Sequence, residues 1–238
     1  MLKGVGFFDF VQGSDDPLGC LVEALDRTIA RHERGLSGSL LVLPEAFNPG
    51  KSYYSPQGTL NAPGGAGVSA EAALAKLKEL AVQHTIVFVA GLLDQQYSSA
   101  YWVDPDSQPT LMCHKMGEDG SGNYIPGNGC DPRNPIERYG ACVGALICLD
   151  ALNCIEETAT ARARRENLVT KMKTSDQVQR IMCIPARMSS HCMPQMDGLW
   201  CILASSGTQR SVVKDPLNTE VLQATSRGEI CFTDLRQD

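Results

Sequence analysis

The sequence predicts an α/β protein with added antiparallel structure, and two features of the chain predict it. In the first half, short apolar runs alternate with segments whose apolar residues recur at helical spacing. In the last third, β-type runs follow one another with turns between them. No internal repeat, low-complexity tract or linker divides the chain, so residues 1–238 are expected to form one domain.

The elements follow in order. Residues 4–11 are apolar and aromatic and read as a first strand. Asp16-Pro17 supplies a helix N-cap and a proline at the first helical position. Leu21, Val22, Leu25 and Ile29 then follow at helical spacing, and Gly35 is the expected stop. Residues 39–43 are almost wholly apolar, which suits a strand buried on both faces. The loop-rich stretch 48–67 leads to Ser69, a cap for a second helix with Leu74, Leu77, Leu80 and Ala81 on one face.

Residues 85–93 are the next strand. Residues 100–103 and 110–114 form a hairpin through Asp104-Pro105-Asp106. A second Gly- and Pro-rich loop covers 117–135. Residues 142–149 read as another buried strand, and a polar helix is expected over roughly 156–173. Strands over 179–184 and 199–205, with further candidates at 210–213, 220–224 and 229–235, complete the chain.

Composition excludes little but is informative. The chain is 43% hydrophobic and 20% charged, enough for an ordinary core. Its net charge of −6 argues against nucleic acid and anionic membrane as partners. No apolar run approaches a membrane span, and the N-terminus lacks a signal-peptide pattern, so a cytoplasmic location is expected. Ten cysteines in a chain of this length read as reduced thiols, most of them small buried hydrophobes.

Three polar residues stand where apolar runs end. Glu45 follows Leu43-Pro44, Lys115 follows His114, and Cys148 sits within Ile147-Cys148-Leu149-Asp150. In open α/β sheets, ligands gather at the carboxyl ends of strands. A carboxylate, an ammonium and a thiol meeting there would form a coherent device. The thiol attacks as thiolate, the carboxylate takes its proton, and the ammonium holds the developing oxyanion. The backbone N–H of Leu149, next to the thiol, is the natural second oxyanion donor. Each residue also has an ordinary reading: a core cysteine, a solvated glutamate at a strand end, a surface lysine.

The motifs Leu43-Pro44-Glu45-Ala46-Phe47, His114-Lys115-Met116 and Ile147-Cys148-Leu149-Asp150 resemble those of the nitrilase, or carbon–nitrogen hydrolase, superfamily in order and spacing. Tyr124-Ile125-Pro126-Gly127-Asn128 is similar to the turn after the family lysine, and Pro185 sits where the family has a strand-ending proline. The resemblance implies a four-layer α-β-β-α sandwich, two mixed β-sheets flanked by helices. It implies a Glu-Lys-Cys mechanism at Glu45, Lys115 and Cys148 with no metal and no organic cofactor. It also implies a small amide or carbamoyl substrate and a homodimer or higher homo-oligomer. The same three residues serve nitrile hydrolysis, and a catalytically silent binding protein is a further reading.

Two departures from the family pattern lie near the expected mouth. The candidate for a second functional acid is Glu118, three residues after Lys115, which reads equally as a solvated loop acid. The stretch Ala151-Leu152-Asn153-Cys154-Ile155-Glu156-Glu157 replaces the aromatic and Pro-Glu usual after the family cysteine.

Other signals carry less. His191-Cys192, with Cys183 and Cys201 nearby in sequence, lacks metal-knuckle spacing, and no Cys-x-x-Cys occurs. The glycine-rich 117–129 lacks a P-loop ending. Ser205-Ser206-Gly207 is no serine-hydrolase elbow. Arg162, Arg164, Arg165, Lys171 and Lys173 are diluted by acids and read as a solvated helix face. His114 faces away from Lys115 on a strand and reads as structural.

Overall fold

Two six-stranded mixed sheets lie face to face, with helices on both outer faces. The computed structural model describes residues 1–10, 16–32, 35–48, 68–94, 97–116, 134–151, 159–186, 196–207 and 210–235. The first sheet contains β1 (Gly4–Asp9), β2 (Ser39–Leu43), β3 (Val87–Asp94), β4 (Tyr97–Val103), β5 (Thr110–His114) and β12 (Glu229–Asp234), in the order β12-β1-β2-β3-β4-β5. The second contains β6 (Ile136–Arg138), β7 (Ala141–Ala145), β8 (Gln179–Ala186), β9 (Trp200–Ser205), β10 (Val212–Lys214) and β11 (Glu220–Gln223), in the order β11-β10-β9-β8-β7-β6. Each sheet has a parallel trio at its centre, β1-β2-β3 and β7-β8-β9, flanked by antiparallel strands.

Strand alternation separates two cores. On the first sheet Val5, Phe7, Leu40, Val42, Val87 and Val89 face inward and join Val143, Ile181, Cys183 and Ile202 of the second. Leu41, Leu43, Phe88 and Ala90 face outward against α1 (Pro17–Arg31) and α2 (Ala70–His84), through Leu21, Leu25, Leu77 and Leu80. α3 (Ala159–Lys173) covers the second sheet with Leu168 and Met172. It comes so close that a Cβ at Gly144 would meet Met172 Sδ at 2.5 Å. The expected four-layer α-β-β-α arrangement is therefore the one observed.

Local chemistry explains the helix starts. Asp16 accepts from the Gly19 N–H at 2.8 Å, and Ser69 accepts from the Ala72 N–H at 3.1 Å, both as N-caps. The first helix ends at Arg31, short of the glycine expected to stop it, because His32 already turns to an extended backbone. Gly35 lies in the following turn.

Two ties align the strands that carry the candidate residues. At the starts of β5 and β7, the β4–β5 turn is fastened to the β6–β7 turn. The Asp104 carboxylate, wholly buried, accepts from the Trp102 indole, the Asp106 and Ser107 backbone, the Ser107 hydroxyl and Arg138. Trp102 and Tyr139 stack, and the Tyr139 hydroxyl donates to Asp106. At the far ends of the same strands, the Cys113 thiol donates to the Ala145 carbonyl at 3.4 Å, and the Met116 N–H donates to Asp150 Oδ2 at 2.8 Å. At the carboxyl end of β1, buried Asp9 accepts from Ser211 and Arg227 and ties the loops after β9 and β11 to the first sheet.

Asp104→Ala is expected to cost about 1–3 kcal/mol, since it leaves the buried Trp102 indole N–H and the part-buried donors of Ser107 and Arg138 unmet. Burial pushes the Asp104 carboxyl up, but its hydrogen bonds outweigh that and hold it below its usual range. Its contribution is therefore full above the unfolded carboxylate value, about 3.9, and is lost as pH falls through the lower folded value. Urea unfolding at neutral pH and in acid checks this: the gap between wild type and variant should shrink below about pH 4.

Candidate active site

The candidate residues occupy the carboxyl ends of β2, β5 and β7. Glu45 follows β2, on a turn made sharp by Ala46 in the left-handed region at φ 49°. The turn is clamped onto β3. The Phe47 N–H donates to the Gly91 carbonyl at 2.8 Å, and the Asn48 amide exchanges hydrogen bonds with Leu93. Position 91 admits only glycine without displacement. A Cβ there would stand 2.6 Å from the Pro44 carbonyl oxygen, 2.8 Å from Glu45 Cα and 2.7 Å from Pro185 Cβ on β8. The two sheets thus close together directly beside Glu45.

Lys115 owes its direction to an irregularity in β5. Ala100 pairs with Cys113 but Tyr101 pairs with Leu111, so Met112 is an extra residue. Such a bulge reverses the alternation beyond it. Met112 and Cys113 both enter the inter-sheet core, His114 turns to the outer face, and Lys115 turns inward. His114 accordingly meets Ser99 and Tyr97 on the outer face, with Ser99 Oγ 2.7 Å from Nδ1. The expectation that His114 and Lys115 face opposite ways agrees with this.

The inward turn brings Lys115 onto Glu45. Lys115 Nζ donates to Glu45 Oε1 at 2.8 Å, with the residues only 1% and 6% exposed. Ser98 on β4 touches both: its hydroxyl donates to the same Oε1 at 3.0 Å, and its carbonyl accepts the Lys115 N–H at 2.7 Å. Both donors fall on Oε1, and neither reaches Oε2.

Cys148 is 5% exposed. Here the sequence expectation needs correction, because β7 ends at Ala145 rather than continuing through residue 149. The chain is still held to β8 by the Leu146 N–H on the Cys183 carbonyl. It then enters a 3-10 turn, Cys148–Ala151, in which the Asp150 N–H donates to the Ile147 carbonyl. An apolar run does not distinguish a buried strand from a buried turn. Cys148 has φ 48°, a left-handed conformation unusual for a residue with a Cβ, and such strain concentrates at functional sites. Leu149 follows Cys148 in this turn.

The Lys115 and Cys148 segments are joined directly. Asp150, two residues after the cysteine, holds the N–H of Met116, one residue after the lysine. Glu118, the motif at 124–128, the segment 152–158 and His191-Cys192 lie outside the described residues.

Ser98 and the tie made by Asp150 carry no signal of their role in the sequence. A serine beside a serine in a strand carries no signal of which one faces inward. Asp150 was visible only as part of the cysteine motif.

The chain matches the family model described as carbon-nitrogen hydrolase over residues 21–184. A search of curated proteins finds no match. Solved structures share the architecture across nearly the whole chain. Saccharomyces cerevisiae Nit3, a member of branch 10 of the nitrilase superfamily, is 17% identical with a TM-score of 0.64, covering 98% of this chain and 89% of that one. A mutant amidase from Nesterenkonia sp. AN1, carrying the Michael adduct of acrylamide at its active-site cysteine, is 17% identical with a TM-score of 0.65, covering 98% and 93%. A carbon-nitrogen hydrolase from Helicobacter pylori G27 is 16% identical with a TM-score of 0.66, covering 98% and 89%. Because the family model matches more than half of the chain, residues 21–184, the chain belongs to the carbon–nitrogen hydrolase family.

Proposed function

We propose that this protein hydrolyses a small amide or carbamoyl compound through a thioester on Cys148. The observation that carries the reading is the buried 2.8 Å pair of Lys115 and Glu45, joined through the N–H of the adjacent Met116 to Asp150 in the turn that holds the cysteine. Burying two charges is costly unless they are well paired, and such groups concentrate where chemistry is done. The amidase among the structural relatives adds weight to an amide as substrate.

The Cys148 thiol gives its proton to Glu45 as sulfur bonds to the amide carbon. The resulting oxyanion is held by Lys115 and the Leu149 N–H. An ammonium has three donors, so Lys115 can keep Glu45 while it meets the oxyanion. Collapse breaks the C–N bond, and Glu45 passes its proton to the leaving nitrogen, releasing ammonia or an amine. Water then attacks the thioester, with its proton going to Glu45. Release of the acid returns that proton to the sulfur.

A nitrile would enter the same site by addition of the thiol to its carbon. Ammonia release from matched amides and nitriles tests the reading. Turnover of amides is expected. Turnover of nitriles alone would assign a nitrilase, and turnover of neither across a broad panel would assign a silent binding protein.

A further inference from the structure

We propose that Ser98 is a positioning residue that selects Oε2 of Glu45 as the basic oxygen, by holding Oε1 in place. This rests on the reading of Glu45 as the base.

The terminal torsion of a glutamate is soft and nearly two-fold, so either oxygen can face a given neighbour. Here the torsion is fixed by two donors on one oxygen, Ser98 Oγ at 3.0 Å and Lys115 Nζ at 2.8 Å. An oxygen that already accepts two hydrogen bonds has little capacity left for a proton. Oε2 receives neither donor and keeps its lone pairs for chemistry. In the proposed cycle, Oε2 takes the proton from Cys148, gives it to the leaving nitrogen, and then takes one from water.

Lys115 alone would not suffice. Its ammonium can rotate its donors, and the proposed mechanism asks it to meet an oxyanion during the reaction. While Lys115 keeps one donor on Oε1, that single contact still lets the carboxylate turn about it, and the Ser98 hydroxyl is the second donor that stops the turn. Ser98 is well placed for that role. It is buried, and its own carbonyl anchors the Lys115 N–H at 2.7 Å, so one residue sets the register of both partners. The neighbouring Ser99 cannot substitute. It faces the other side of the sheet, where its hydroxyl is 2.7 Å from His114 Nδ1.

Ser98→Ala removes the hydroxyl but keeps the carbonyl that holds Lys115. With an amide that the wild type turns over, kcat should fall about 10- to 100-fold while KM stays within about twofold, because a loosened base misaligns the reaction more than the binding. The thermal midpoint should stay within a few degrees of wild type. Ser98→Thr, which keeps a hydroxyl, should recover most of kcat, and Ser99→Ala should leave kcat within about twofold. Wild-type kcat in Ser98→Ala overturns the proposal. So does a loss of activity that merely tracks loss of folded protein by circular dichroism, or a folded variant that threonine does not improve. Glu45→Gln, measured alongside, separates the two levels. If it is inactive while Ser98→Ala is fully active, only the role of Ser98 fails. If Glu45→Gln retains full activity, the base reading itself fails.

Discussion

Cys148→Ala is expected to lose at least about 10⁴-fold in kcat, because it removes the sulfur that forms the covalent bond on which the proposed cycle depends. The protein should remain folded. The change deletes one sulfur at the rim of the inter-sheet core, and the turn is held by backbone and by Asp150, which stay in place. A purified, monodisperse variant with a near-native thermal midpoint and no ammonia release meets the expectation. Retained turnover would remove the cysteine from the mechanism.

Lys115→Met should damage two properties together. Activity should fall by about 10²- to 10³-fold or more, the range for deleting a preorganised oxyanion donor. Stability should also fall, by about 3–5 kcal/mol, because the Glu45 carboxylate would be left buried without its charged partner. Combining Lys115→Met with Glu45→Gln should restore part of the stability and none of the activity. The coupling follows from their direct 2.8 Å contact. A Lys115→Met protein with near-normal kcat would make the lysine a purely structural ion-pair partner.

Much of this architecture is legible in the chain. Short apolar runs mark the central strands. Asp16-Pro17 and Ser69 mark helix starts through the capping chemistry that the structure displays. Glu45 and Lys115 are visible because each follows an apolar run within a recognisable motif. What the sequence does not reveal is orientation. The inward direction of Lys115 depends on one extra residue, Met112, and a bulge has no periodic signature. Strand β6 is too short to show alternation, and only its pairing with β7 defines it. The turn at Cys148 hides in an apolar run because burial alone selects its residues. Ser98 differs from Ser99 only in which face it meets, a property set by pairing across strands rather than by residue type.

The most direct test asks whether Cys148 is the thiol that becomes acylated. Four of the other described cysteines provide internal controls. Burial pushes the thiols of Cys142 and Cys183 up, Cys201 up to about 12 and Cys231 up to about 11, so these are poor nucleophiles at neutral pH. The protein should be quenched in acid during turnover of a slow amide, digested, and its cysteine peptides weighed. The account predicts the acyl mass on the Cys148 peptide, and no such mass in Cys148→Ala. Sustained turnover with the acyl group on another cysteine, or with Cys148 unmodified throughout a steady state limited by deacylation, would contradict it.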